Sequence, residues 1–572
     1  MQKSLRHIIL FLGLFINSIG LFSQDVEQVA KADPLKVTGG FNATTGYYEA
    51  WGMDARMDPF SWSLNANLNF NFFGVVNAPF SAHITKGNKT YSQPEYNQIG
   101  ISPKYKWITA HIGYRSMQFS SYSLSGMLFL GGGIEVAPPK SIVKVSAMYG
   151  KFANAIPYDT GVVATSGNLF DAPGYERWGG GTKISVGKGG NNVDLIIFKA
   201  KDDPNSIPDP PIESGITPKE NLVTGIATKN TIHKNIVLTT EYTLSALTRD
   251  IRLEERTVES YSYINNVGKL FTPRFSTTFN KVICAGLQYN GEGFTFGGSY
   301  KRVDPDYQSL GTTYLSNDIE DIMANISKTF YQNKINLTLN GGRQRNNLED
   351  QLKVTNVRFI AGIGVAYAIS NQWNIAANYS NFNSNTAPEV ISFVDSFKFV
   401  QVTQNASFNA NYSFGETDIK HSLMLNTAYQ NVNSLNETAT LLQETGSNMV
   451  NTNIGYTLNI TPSALMLSGS FNYNRFSQME GVNSNTYGPT VNVNKGLLDK
   501  KITVTFSSSL LNSGSSGQSS LMNLYRAAAS YKPGKHHALS LSSSFMIKQT
   551  ETTDETINSR EFRGGFTYGF VF

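Results

Sequence analysis

Phe562-Arg-Gly-Gly-Phe-Thr-Tyr-Gly-Phe-Val-Phe572 decides how the rest of this chain is read. Phe562, Phe566, Tyr568, Phe570 and Phe572 share one parity, with Gly564 among them. Arg563, Gly565, Thr567, Gly569 and Val571 share the other. A β-strand sends alternate side chains to opposite faces, so the segment has one aromatic face and one small or polar face. Such a strand exposed on a soluble protein invites aggregation. In a closed membrane barrel its aromatics meet lipid and its small residues meet the lumen.

The same alternation recurs upstream. Trp62, Leu64, Ala66, Leu68, Phe70 and Phe72 oppose Ser63, Asn65, Asn67, Asn69 and Asn71. Phe359, Ala361, Ile363, Val365, Tyr367 and Ile369 oppose Gly362, Gly364, Ala366 and Ala368. Ile502, Val504 and Phe506 oppose Thr503, Thr505 and Ser507. A helix cannot keep a period of two, so these are strands with one apolar face. Connections alternate in length along the chain. Tight turns such as Lys188-Gly189-Gly190, Asn290-Gly291-Glu292 and Lys532-Pro533-Gly534 alternate with long polar segments. The long segments include 45–58, 151–173, 201–220, 248–273, 303–317, 383–395, 431–447 and 476–484.

This pattern predicts an all-β fold, a transmembrane antiparallel β-barrel of about 26 strands over 34–572, with short periplasmic turns and long extracellular loops. Residues 1–23 read as a signal peptide. Lys3, Arg6 and His7 form a basic head, residues 8–22 an apolar stretch, and Ser23-Gln24 a small-residue cleavage point. Residues 24–33 read as a short periplasmic tail, which leaves almost no sequence for a plug domain. The expected location is the outer membrane.

Composition excludes several function classes. Charged residues make up 16% of the chain, and the net charge of +5 comes without a dense basic run, so nucleic-acid binding is not expected. Cys284 is the single cysteine and forms no internal disulfide. His83, His111, His233, His421, His536 and His537 are scattered, without zinc-type spacing. Gly131-Gly132-Gly133 and Gly179-Gly180-Gly181 are followed by no helix pattern. They read as sites of close strand packing or bulging rather than phosphate loops. No catalytic, cofactor or metal site is expected, and the chain reads as a non-enzyme.

Two further features bear on function. About 26 strands spaced by ~4.8 Å and tilted by ~40° give a backbone diameter near ~50 Å, narrowed to ~40 Å by side chains. Something must block so wide a hole: inward loops, a partner protein or a flattened cross-section. The loop 201–220 is one candidate, with Asp202, Asp203, Asp209 and Glu213 as possible constriction residues and prolines to stiffen it. The mixed-charge loop 248–273 is another, as a constriction lining or a short helix. Lysine and histidine also collect in the tight turns and acid in the long loops, which reads as ordinary wetted turn composition or, alternatively, as a basic rim for an acidic partner.

The final strand, with Phe566, Tyr568, Phe570 and the terminal Phe572, resembles the assembly signal of bacterial outer-membrane β-barrel proteins. Gly133-Ile-Glu-Val-Ala-Pro-Pro139 and Tyr175-Glu-Arg-Trp-Gly-Gly-Gly-Thr-Lys183 resemble segments of large outer-membrane barrels of the Bacteroidota. The resemblance implies insertion by a barrel-assembly machinery and a setting of outer-membrane lipids, but carries over no functional residue beyond the last strand. Two functions follow as expectations: a large pore or channel narrowed by loops or a partner, or a non-enzymatic subunit of an outer-membrane secretion or assembly complex.

Overall fold

The computed structural model describes residues 33–572 except 87–96, 159–172, 259–269, 314, 353, 389–397, 438–441, 480, 482, 516 and 553–554. The signal-peptide and tail boundaries fall almost wholly outside these. One antiparallel sheet contains 27 strand segments. Asn97–Ile101 and Lys104–Tyr105 are two pieces of one wall strand, because both pair with the same two neighbours. The wall therefore has 26 strands, as expected. Pro103 causes the break, since proline has no N–H to give the ladder.

Closure is explicit. The first strand, Leu35–Trp51, pairs with the last, Thr556–Val571, in register from Gly40↔Val571 to Trp51↔Arg560. Every other neighbouring pair is a sequential hairpin. No helix among the described residues is long and apolar enough to cross a membrane.

Cross-strand register fixes which residues face inward. From Phe198, opposite Gly181 and Val223, the inward face runs through Ser245, Lys301, Asp321 and Arg358 and on around to Arg563 and Tyr48. The opposite parity carries Leu195, Ile197, Ile226, Tyr242, Ile322, Phe359, Ile454, Leu541 and Phe566, all exposed. That face is the lipid-facing wall. At its short-turn end Trp373, Tyr412 and Phe414 stack with ring centroids 4.5 and 5.1 Å apart, and His421 lies 4.7 Å beyond. Aromatic girdles of this kind mark the membrane boundary.

The wall is uneven in height. Ile108–Ser116 and Leu128–Val136 have 9 residues each, about what a tilted span needs. Ile419–Glu437 and Leu442–Ile460 have 19 each, so they rise well past the bilayer. This corrects the expected loops at 431–447 and 476–484. Asn431 pairs with Asn448 and the ladder continues to Glu437↔Leu442, while Ser477 pairs with Asn483. Likewise strand structure continues to Trp51 and to Pro388 inside the expected loops at 45–58 and 383–395. Above the bilayer both faces of a strand are wet, so polar composition there is compatible with pairing and the alternation that betrays a strand disappears.

Closure gives a direct prediction. Thr44 and Thr567 lie opposite each other with their hydroxyls 3.1 Å apart. Replacing both with cysteine should form a disulfide joining the two ends of the chain, seen as a mobility shift on non-reducing gels. Absence of that shift under oxidising conditions would contradict the closed cylinder.

Candidate functional site: a constriction inside the barrel

Among the described residues the largest hydrophobic core lies within the lumen. On several wall strands the inward face is apolar, contrary to the polar lining elsewhere. Asn191–Asp202 carries Ile196, Phe198 and Ala200 inward, and Phe129, Met148, Val223 and Leu247 join them from neighbouring strands. All are almost fully buried. What buries them is a pair of connections folded in from the long-loop side.

The first, 117–127, follows Ile108–Ser116 and inserts Met117, Phe119 and Leu124 into this core. The second, 304–318, follows Phe294–Val303, eight wall strands further round, and contributes Leu310. They meet as a short parallel ladder, Leu124↔Gly311 and Ser125↔Thr312. The Ser309 hydroxyl donates to the Ser123 carbonyl, and the Tyr307 hydroxyl donates to the Tyr122 carbonyl at 2.7 Å.

The wall anchors this strap through polar groups. Asn221, fully buried, donates to the Ser245 Oγ at 2.8 Å and the Ala246 carbonyl at 3.0 Å, and accepts from the Leu310 N–H at 3.0 Å. Ser245 in turn donates to the Gln308 carbonyl at 2.6 Å. Burying these groups is tolerable because each is matched. Tyr122 and Tyr307 sit at the edge of the strap, their rings edge-on at 6.5 Å. Burial is the main cause that holds both phenols above the ordinary tyrosine range.

The glycine runs explain how the strap fits. A Cβ at Gly133 would meet the Met117 sulfur at 2.5 Å, and one at Gly181 the Phe119 ring at 2.8 Å. Close packing, as read from the sequence, is thus their role, but the partner is an inward connection and not only a neighbouring strand. The segments 133–139 and 175–183 each supply one of these two glycines.

Along the edge of the strap runs an inward charged row, one residue per strand: Glu241, Cys284, Lys301, Asp321, Gln344 and Arg358. Lys301 meets Asp321 at 2.5 Å, Gln344 donates to Asp321 at 2.7 Å, and Arg358 donates to Gln344 at 3.2 Å. Cys284 donates to the Tyr122 hydroxyl at 3.4 Å. Beyond Arg358 the lumen wall is mostly amide and hydroxyl, with Asn378, Ser407, Ala428, Asn451 and Asn474 in successive positions of one row.

The residues singled out in 201–220 sit at the rim. Asp202 is buried and takes two bonds from the Arg177 guanidinium, at 2.7 and 3.1 Å, plus the Lys219 N–H at 2.9 Å. Asp203 accepts from the Asn205 N–H at 3.0 Å. Asp209 is exposed and 3.3 Å from Arg252, which also holds Asp250 at 2.8 Å and keeps that carboxyl below its usual range. Glu213 lies exposed on a single 3-10 turn, Ile212–Ser214.

The loop after Ile236–Thr248 departs from expectation. Its Phe271 packs on Leu222, Leu244 and Ala246, which have the outward parity. The described part of this loop therefore clasps the outside of the wall and forms no helix. Sequence reasoning did not single out 117–127, and it gave 303–317 only as a long loop with no inward course. The available signal was Leu195-Ile196-Ile197-Phe198, where alternation fails because the inward face is covered too.

No protein-family model matches the chain, and no curated protein does either. Among solved structures it is similar to the P pilus usher (PapC) translocation pore, at 9% identity and TM-score 0.27, over 94% of this chain and 99% of that one. It is also similar to the FrpB iron transporter of Neisseria meningitidis, at 9% identity and TM-score 0.34, over 93% of this chain and 81% of that one. A third is OccK10 of Pseudomonas aeruginosa, at 9% identity and TM-score 0.34, over 61% of this chain and 94% of that one. TM-scores this low carry no argument about function. The location follows from the barrel itself, which is closed, apolar outside and polar within. This is an outer-membrane barrel.

Asn221→Ala should leave the Leu310 N–H without its acceptor and the Ser245 Oγ and Ala246 carbonyl without the amide that donates to them, a loss of about 2–4 kcal/mol. Limited proteolysis should then cut 304–318 in a barrel that remains folded on the gel. The buried phenols add a pH expectation. Their raised folded-state pKa means that strap stability is complete below pH ~10, where unfolded tyrosine is neutral, and falls only above it. Protease resistance of the strap should be flat from pH 6 to 9 and decline only in stronger alkali.

Proposed function

We propose that this protein is a large outer-membrane pore whose lumen is narrowed by its own connections. The observation that carries the reading is the strap 117–127 with 304–318. It fills one side of the lumen with a hydrogen-bonded core and leaves the wall from Ile335–Arg345 round to Phe60–Phe72 lined by wet amides and hydroxyls. A packed strap on one side and a hydrated wall on the other is what a constricted channel needs. The rim loop 203–219, tied to the wall through Asp202 and to its neighbour through Asp209, braces the mouth in this reading. No reacting group or cofactor is required, so the pore is a non-enzyme.

A second reading is supported by the same uncovered wall. A lumen half-filled by the chain itself has room for a polypeptide, as in a non-enzymatic subunit of a secretion or assembly complex. Both readings place outer-membrane lipids around the wall and a barrel-assembly machinery that recognises Phe566, Tyr568, Phe570 and Phe572. Both also accommodate kinship with large barrels of the Bacteroidota.

In planar bilayers the purified protein should conduct in stable steps. Replacing residues 118–126 with a short Gly-Ser link should raise the step size several-fold, and deleting 203–219 should make the current noisier. A protein silent in both forms, but purified with a stoichiometric partner, would exchange the pore for the complex subunit. Separately, Phe572→Ala should reduce the folded, heat-modifiable form in outer-membrane fractions. An unchanged yield would remove the role given to the terminal aromatic.

A further inference from the structure

Inward charge is distributed unevenly around the lumen. Among the described residues of the wall left uncovered by the strap, the inward cationic side chains are Lys36, Arg358, Lys420, Arg526, Lys548 and Arg563, against one inward acid, Glu561. On the covered side charges are largely matched, as in Arg177 with Asp202 and Lys301 with Asp321. The hydrated part of the lumen is therefore a positive surface.

One place concentrates this charge. Ser507, Arg526, Ser544 and Arg563 occupy successive positions of a single inward row. The two arginines are two strands apart, about 10 Å between backbones, and both line one recess together with Ser544. The next row is Thr505, Ala528, Ser542 and Gly565, all small. Large guanidinium groups above small residues leave a recess of about 550 Å³.

The two arginines are prepared differently. Arg563 is held in place by Glu561 at 3.2 Å and by the Tyr48 ring at 5.6 Å. Glu561 is buried and also lies 3.6 Å from Arg56, so two cations already answer its charge. Among the described residues no acid pairs with Arg526. The recess thus presents one fixed and one free guanidinium, with serine and threonine hydroxyls below.

We propose that this recess binds the oxyanion group, carboxylate or phosphate, of a small solute in the lumen. Planar guanidinium groups bind such oxygens through paired, charge-assisted hydrogen bonds, and the hydroxyls satisfy those that remain. The site rests on the pore reading for its biological use, but not for its chemistry. Held in the uncovered half of the lumen, it concentrates anions along the route that stays hydrated.

The test uses the full-length barrel in detergent and in bilayers. Calorimetric titration with pyrophosphate and, separately, succinate should show binding to the native protein. Arg526→Gln should weaken it about tenfold, the loss expected for one charged hydrogen-bonding partner. Arg475→Gln, on the outward face of the same wall, should leave it unchanged. Which probe binds assigns the group to phosphate or carboxylate. If neither binds the native protein more tightly than Arg526→Gln, the proposal is overturned. In a KCl gradient the native pore should prefer chloride, and Arg526→Gln should move the reversal potential toward potassium. A silent barrel that binds pyrophosphate keeps the site and sinks the pore; a conducting barrel indifferent to both anions sinks the site and keeps the pore.

Discussion

In a bilayer core no water is present to satisfy a free backbone N–H or carbonyl, so a sheet can cross only if it has no edge. The pairing of Leu35–Trp51 with Thr556–Val571 meets that demand, and the rest of the architecture follows from it. Antiparallel closure makes the number of strands even, puts the first and last strands side by side, and assigns each wall residue to lipid or lumen by parity alone. It also fixes the circumference. A cylinder of 26 strands is too wide for the side chains of its own wall to fill.

The way this protein fills part of its lumen resembles the core of a soluble domain more than the lining of a channel. Phe198, Phe129, Phe119 and Leu124 pack with almost no exposure, and Asn221 and Ser245 meet the polar needs of the strap at the wall. Apolar burial holds the strap in place, while the hydrogen bonds select one register for it. Glycines at 133 and 181 matter because the inward chain approaches the wall backbone closely at those points. The outer hook at Phe271 uses the same device in reverse, covering a patch of the lipid-facing side near the rim.

The sequence made the wall legible and the contents of the lumen obscure, for a physical reason. Wall strands such as Trp62 to Phe72 face lipid on one side and water on the other, so the period of two survives in composition. Ile196 and Phe198 face a covering segment instead of water, and their strand loses the polar half of the pattern. The covering segments, 117–127 and 304–318, have ordinary loop composition, and nothing local states which way they fold. Long-loop expectations failed at 431–447 for a related cause: the strand continues where both of its faces are wet. Within 201–220, Asp202 was noticed for its charge, and its structural partner Arg177 comes from the strand beside it.

The unequal height of the wall has its own geometric outcome. Strands of 9 residues stand on the arc nearest the first half of the strap, and strands of 19 stand on the uncovered arc across from it. A tube cut at a slant does not face straight outward; its opening tips toward the shorter edge. Material drifting along the cell surface meets a low sill from one direction and a tall backboard from the other. The hydrated inward face of the tall arc therefore looks out across the low one.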